Sequence, residues 1–225
     1  MTPLELVLAG AGLVGSTGLL ALLLARRARL AGSIAVGGAI GGSAMGLIGA
    51  FLALGGWTGE LTAGWQVPGG AIVVGLDPLS GYFLAPLFGL SPLCALYGRR
   101  YLAGAAVPAA ELNLLVAAMS LVLVARHALL FLLAWEVMTV LAYLLVTREH
   151  NDAGVRRAGW VYLIASHVAV IALLALFLVL GSEAAGALDF ASITGAWQGD
   201  GAAGILVLAL VGFGIKAGLV GLHLH

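Results

Sequence analysis

Two charges stand where hydrocarbon belongs. Glu136 sits inside the run "LLFLLAWEVMTVLAYLLV", and Lys216, the only lysine of the chain, sits inside "GILVLALVGFGIKAGLVGLHLH". A charge at the centre of a bilayer costs roughly 2.5 to 3.5 kcal/mol on the insertion scale. That cost is tolerable when a partner offsets it or when the group is kept neutral. An acid and an amine in one chain therefore predict each other as partners. A static ion pair is weak support for stability, because desolvation can cancel the attraction. Ionisable groups inside membranes are functional by default, so these two residue types point to the movement of charge.

The neighbours of both residues are polar in a pattern. Thr139, Tyr143 and Thr147 follow Glu136 at offsets of three, seven and eleven. On a helix all four share one face. That stripe either bonds to neighbouring helices or walls a hydrated path, and the residues alone leave both readings open. His167 lies in "GWVYLIASHVAVIALL". Histidine changes charge near neutral pH, which suits a proton relay. His223 comes seven residues after Lys216, hence on the same helical face and about 10 Å along the axis. Glycines 212, 214, 218 and 221 make this last helix easy to distort, and broken helices at membrane depth often line ion sites. Gly212-x-Gly214-x-x-Ala217 matches a loose dinucleotide fingerprint. That fingerprint needs a strand, a turn and a helix, and this one lies inside an apolar run.

The elements that must position these residues follow from composition. The chain is 62% hydrophobic and 9% charged, with a mean hydropathy of +1.13. Soluble domains carry about 25% charged residues, and a chain of 225 residues could not hide so much apolar surface in water. The class is a polytopic all-α membrane protein that has the lipid bilayer as its surroundings. Seven spans are predicted, at about 4–25, 34–54, 79–98, 109–125, 127–146, 159–181 and 203–222. The runs lack the alternation of barrel strands. The first run carries Glu5 and no preceding basic group, which reads as a membrane span and not as a secretory signal.

Charge asymmetry sets an orientation. Arg26, Arg27 and Arg29 follow span one, Arg99 and Arg100 follow span three, and Arg148, Arg156 and Arg157 follow span five. The other loops hold Glu60, Asp77, Glu183, Asp189 and Asp200, with Arg126 the basic exception. By the positive-inside rule the N-terminus is expected outside and the three basic loops in the cytoplasm. The polar stretch 182–201 reads as an external loop with a short surface helix. Gly38, Gly42 and Gly46 recur every four residues in span two and form a smooth ridge for close helix packing. Net charge is zero, so nothing favours nucleic acid. Cys94 is alone and reads as a small packing thiol, and no metal motif is expected.

"LLFLLAWEVMTVLAYLLV", "GWVYLIASHVAVIALL" and "GFGIKAGLVGLH", in this order and spacing, resemble the antiporter-like membrane subunits. That family includes the pumping subunits of respiratory complex I, cation/proton antiporter subunits of the Mrp type, and the large membrane subunit of group 4 hydrogenases. "LDPLSGYFLAPLFGLSPLCALYGRRYL" is most similar to the hydrogenase-4 branch, which includes the large membrane subunits of hydrogenase-4 and of formate hydrogenlyase. The resemblance runs from about residue 70 onward. It implies a fold of about fourteen helices with two inverted repeats of five, each with a broken helix. It also implies that Glu136 pairs with Lys216 and that His167 and His223 join them in proton translocation. The family usually reads L-V-P-L-H-x-W-L-P where this chain has "LVGLHLH", so Gly221 stands where the helix-breaking proline is expected.

On this reading residues 1–108 form N-terminal transmembrane helices 1–3. Residues 109–225 form an incomplete first antiporter-like repeat, helices 4–7, so the chain is a half-subunit. The expected function is a proton- or cation-translocating membrane subunit of a complex I-like or group 4 hydrogenase-like respiratory complex. It would contain no cofactor, metal or catalytic residue of its own. Its partners would be other membrane subunits, in a bacterial inner membrane. A structural membrane anchor and a Na+/H+ antiporter subunit of the Mrp type are the alternatives.

Overall fold

The structure, a computed structural model, describes residues 1–101, 106–199 and 201–218. Asp200, Gly221 and His223, which the sequence singled out, lie outside the described residues. The helices are α1 (Pro3–Leu23), α2 (Ala28–Leu54), α3 (Pro78–Tyr101), α4 (Ala106–Val124), α5 (Ala128–Val146), α6 (Ala153–Glu183), α7 (Phe190–Ala196) and α8 (Ala202–Ala217). Strands β1 (Gly59–Val67) and β2 (Gly70–Leu76) form a hairpin between α2 and α3. The first six helices, α1 to α6, are each long and apolar enough to cross a membrane, and α8 is a shorter apolar helix. Large apolar side chains such as Leu20, Phe51, Leu133, Trp160, Leu178 and Leu206 are exposed on the helix surfaces. That outward display suits lipid, and the protein is an integral, polytopic transmembrane helix bundle.

The chain forms two compact units, one of residues 1–61 and 74–125, the other of residues 62–73 and 126–225. In the first unit, α1 starts at a capping box. Thr2 Oγ1 accepts the Glu5 N–H at 3.2 Å, and the Thr2 N–H donates to Glu5 Oε2 at 2.8 Å. Glu5 therefore satisfies orphan amides at the helix start. The glycine ridge of α2 is spent inside this unit. Gly38 packs against Thr17, Gly42 against the Gly10 carbonyl and Val14, and Gly46 against Phe88. Asn113 of α4 is fully buried and donates to Ala35 O at 2.9 Å and to Thr17 Oγ1 at 3.2 Å. It ties α4 to α2 and α1 through polar groups that lipid could not satisfy.

In the second unit, α5, α6, α7 and α8 enclose an apolar cluster of Leu132, Leu173, Leu176, Phe177 and Ile193. Asp152 caps α6, accepting the Gly154 N–H at 2.6 Å. Asp189 caps α7, accepting the Ser192 N–H at 2.8 Å. The Ser192 side chain and N–H hold the Asp189 carboxyl below its ordinary range. The expected surface helix of the 182–201 loop is thus α7. Leu188 N–H donates to Gly69 O at 2.8 Å and Arg126 N–H to Val73 O at 3.0 Å. These bonds tie the hairpin turn to the loop before α7, and strand β2 to the residues before α5.

A polar site on helices α5, α6 and α8

Glu136 lies at the midpoint of α5, where the surrounding leucines, valines and alanines give no local reason for a carboxylate. Lys216 lies in the last turn of α8. That helix stops at Gly218, which adopts φ 69° and ψ 36° and caps Gly214 and Ile215. The left-handed conformation suits glycine alone without strain. Sixteen residues reach only about 24 Å, less than the roughly 30 Å of hydrocarbon. The negative dipole end of α8 favours the Lys216 ammonium. Gly212 lets α8 approach Leu173 of α6 closely.

The two charges meet. Lys216 Nζ is 3.9 Å from Glu136 Oε1 and donates to Thr139 Oγ1 at 2.6 Å. Thr139 is fully buried, and its hydroxyl donates to Trp135 O at 2.9 Å. Its proton is thus committed to the backbone, and its lone pairs face the ammonium. Lys216 is 8% exposed, against 26% for Glu136. At about 4 Å and an effective dielectric near 20, the pair attracts by roughly 4 kcal/mol before desolvation is subtracted.

The second carboxylate oxygen faces a histidine. Glu136 Oε2 is 3.5 Å from His167 Nε2, and His167 Nδ1 lies 2.8 Å from Leu163 O. A carbonyl only accepts, so Nδ1 carries a proton, and Nε2 is the nitrogen turned toward the carboxylate. Glu136 is thus held between an amine on α8 and an imidazole on α6.

Four of the residues expected from sequence come together here: Glu136, Lys216, His167 and Thr139. Tyr143 and Thr147 share the α5 face and pack against Gly159 of α6. Thr147 Oγ1 donates to Tyr143 O at 2.7 Å. Two further residues at the site were not expected. Tyr162 of α6 approaches Thr139 and Ser166, and the Trp135 ring centroid is 5.8 Å from Lys216 Nζ. Among the described residues no group of three or more His, Cys, Asp or Glu could hold a metal ion.

An acid, an amine and an imidazole brought together on three apolar helices define a class of polytopic membrane protein. Comparison with known proteins narrows that class. Residues 125–225 match the family described as "NADH:quinone oxidoreductase/Mrp antiporter, TM". The chain is 39% identical over 196 residues to an uncharacterised protein of Mycobacterium tuberculosis strain H37Rv, covering 85% of this chain and 30% of that protein. It is 31% identical over 154 residues to hydrogenase-4 component B of Escherichia coli strain K12, covering 66% of this chain and 23% of that protein. Its fold matches a chain of the membrane-bound sulfane sulfur reductase, an archaeal respiratory membrane complex, with a TM-score of 0.78 and 25% identity, over 99% of this chain and 35% of that one. The chain belongs to the antiporter-like membrane subunits of the complex I and hydrogenase-4 type. It spans less than a third of the length of these two curated relatives.

Proposed function

We propose that the chain carries proton-translocating machinery of a multisubunit respiratory complex of the bacterial inner membrane, and that Glu136, Lys216 and His167 are its working groups. The observation that supports this most is the placing of the Glu136 carboxylate, with Oε1 toward Lys216 and Oε2 toward His167. A proton arriving on the Glu136 carboxyl weakens its hold on Lys216, because a neutral carboxyl attracts an ammonium less. Lys216 can then release a proton to water or to the next group along the path. Return of the charge to Glu136 restores the first state.

Tyr143 and Thr147 would extend the polar face toward the cytoplasmic loop, and His223 would continue the path beyond Lys216. Other membrane subunits would bias the pair during the redox cycle. Residues 109–225 are read as the start of the first antiporter-like repeat and residues 1–108 as helices that precede it. The test is Glu136→Gln in the assembled complex, with proton flux measured in sealed vesicles. Assembly should survive, because shape is kept, and flux should fall by about a hundredfold or more, in the range of a lost acid–base group. Undiminished flux would contradict the proposal.

A further inference from the structure

We propose that Trp135 is a positioning residue for Lys216: its indole face holds the ammonium beside Glu136 and Thr139 through a cation–π contact. The inference rests on the reading of Lys216 as a proton carrier. Lys216 Nζ lies 5.8 Å from the ring centroid, within the range of roughly 6 Å over which an aromatic face attracts a cation. Trp135 and Thr139 are four residues apart and so share one face of α5. The ammonium therefore rests between an aromatic ring and a hydroxyl on consecutive turns, with Glu136 to one side.

The ring is also placed by aromatic neighbours. Phe131 meets it edge-on at 4.7 Å and 76°, and Phe213 of α8 lies 6.0 Å away at 48°. Phe213 and Lys216 are three residues apart on α8, so the helix that carries the lysine also braces the ring that faces it. Among the described residues, the groups brought to the ammonium include Glu136, Thr139 and Trp135 from α5, with His167 and Tyr162 of α6 reaching it through Glu136 and Thr139.

The ring face is negative because of its quadrupole, and ring fluorination withdraws that charge with little change of shape. The experiment replaces Trp135 in the whole complex with tryptophans carrying one, two and three ring fluorines, and adds Trp135→Phe and Trp135→Leu. Proton flux is read in sealed vesicles, alongside Lys216→Met as a control. Flux should fall stepwise with fluorine count. Trp135→Phe should retain most of it, and Trp135→Leu should lose about tenfold, as expected when a desolvated cation–π contact is removed. Flux indifferent to fluorination overturns the proposal, even if Trp135→Leu is impaired, since that pattern marks a shape-filling ring. Full flux in Lys216→Met would instead overturn the reading of the lysine on which the proposal stands.

Discussion

At the scale of single residues, the site can be traced to three chemical facts. A carboxylate is expensive in hydrocarbon, an ammonium is equally so, and each offsets the other. Glu136 and Lys216 were legible in the sequence for this reason: each is a lone charge in a long apolar run. His167 was legible only as a titratable group, and its partner came from the geometry, 3.5 Å from Glu136. Trp135 was not legible, because an aromatic residue in a membrane helix looks like packing until a cation is found above it. Thr139 read as one member of a polar stripe, and its contact with Lys216 sets it apart from Tyr143 and Thr147, which pack on Gly159. That difference yields a prediction. Thr139→Val keeps the volume but removes the acceptor at 2.6 Å from Lys216 Nζ. A hydrogen bond to a charged group contributes about 1.5 to 3 kcal/mol, so flux should fall on the order of tenfold, and Thr139→Ser should restore it. Equal flux in the valine and serine variants would remove Thr139 from the site.

At the scale of elements, close helix packing is carried by glycines whose missing side chains are filled by a neighbour. A Cβ on Gly42 would meet the Gly10 carbonyl and Val14, whereas a Cβ on Gly37 would meet nothing within 4 Å. Gly42→Ala should therefore destabilise the protein by about 1 to 3 kcal/mol, the usual cost of overpacking. Gly37→Ala should be neutral or slightly stabilising, since alanine is the better helix former. Thermal unfolding of the detergent-solubilised protein distinguishes the two, and equal shifts would refute the packing assignment. The spans were legible because an apolar run of membrane length suits little besides a bilayer. The hairpin of β1 and β2 was not seen in advance. Its signal was present, a Pro68-Gly69-Gly70 turn between "LTAGWQV" and "AIVVGL", with Gly69 and Gly70 at φ 88° and 122°. Its apolar residues blend into the general hydropathy, which masks the alternation of a strand. Hydropathy likewise marks α6 only from about 159, whereas the helix begins at Ala153 behind the Asp152 cap, because its polar first turns carry no apolar signal.

At the scale of the whole molecule, the chain is a membrane helix bundle whose polar site sits on α5, α6 and α8. Its basic loops alternate with acidic ones, which predicts a topology. Cysteines placed in the loops at 148–152 and 184–189 should label from opposite sides of the membrane, the first from the cytoplasm. Labelling of both from one side would break the orientation. The central claim is that Lys216 gives up a proton and does more than balance Glu136. Arginine keeps the positive charge and does not give up its proton in proteins, and methionine keeps the length without any charge. The measurement that tests this most directly is proton flux through sealed vesicles carrying the whole complex with Lys216→Arg, set beside Lys216→Met. The account predicts that both variants assemble and that both translocate poorly. Wild-type flux in the arginine variant would contradict it.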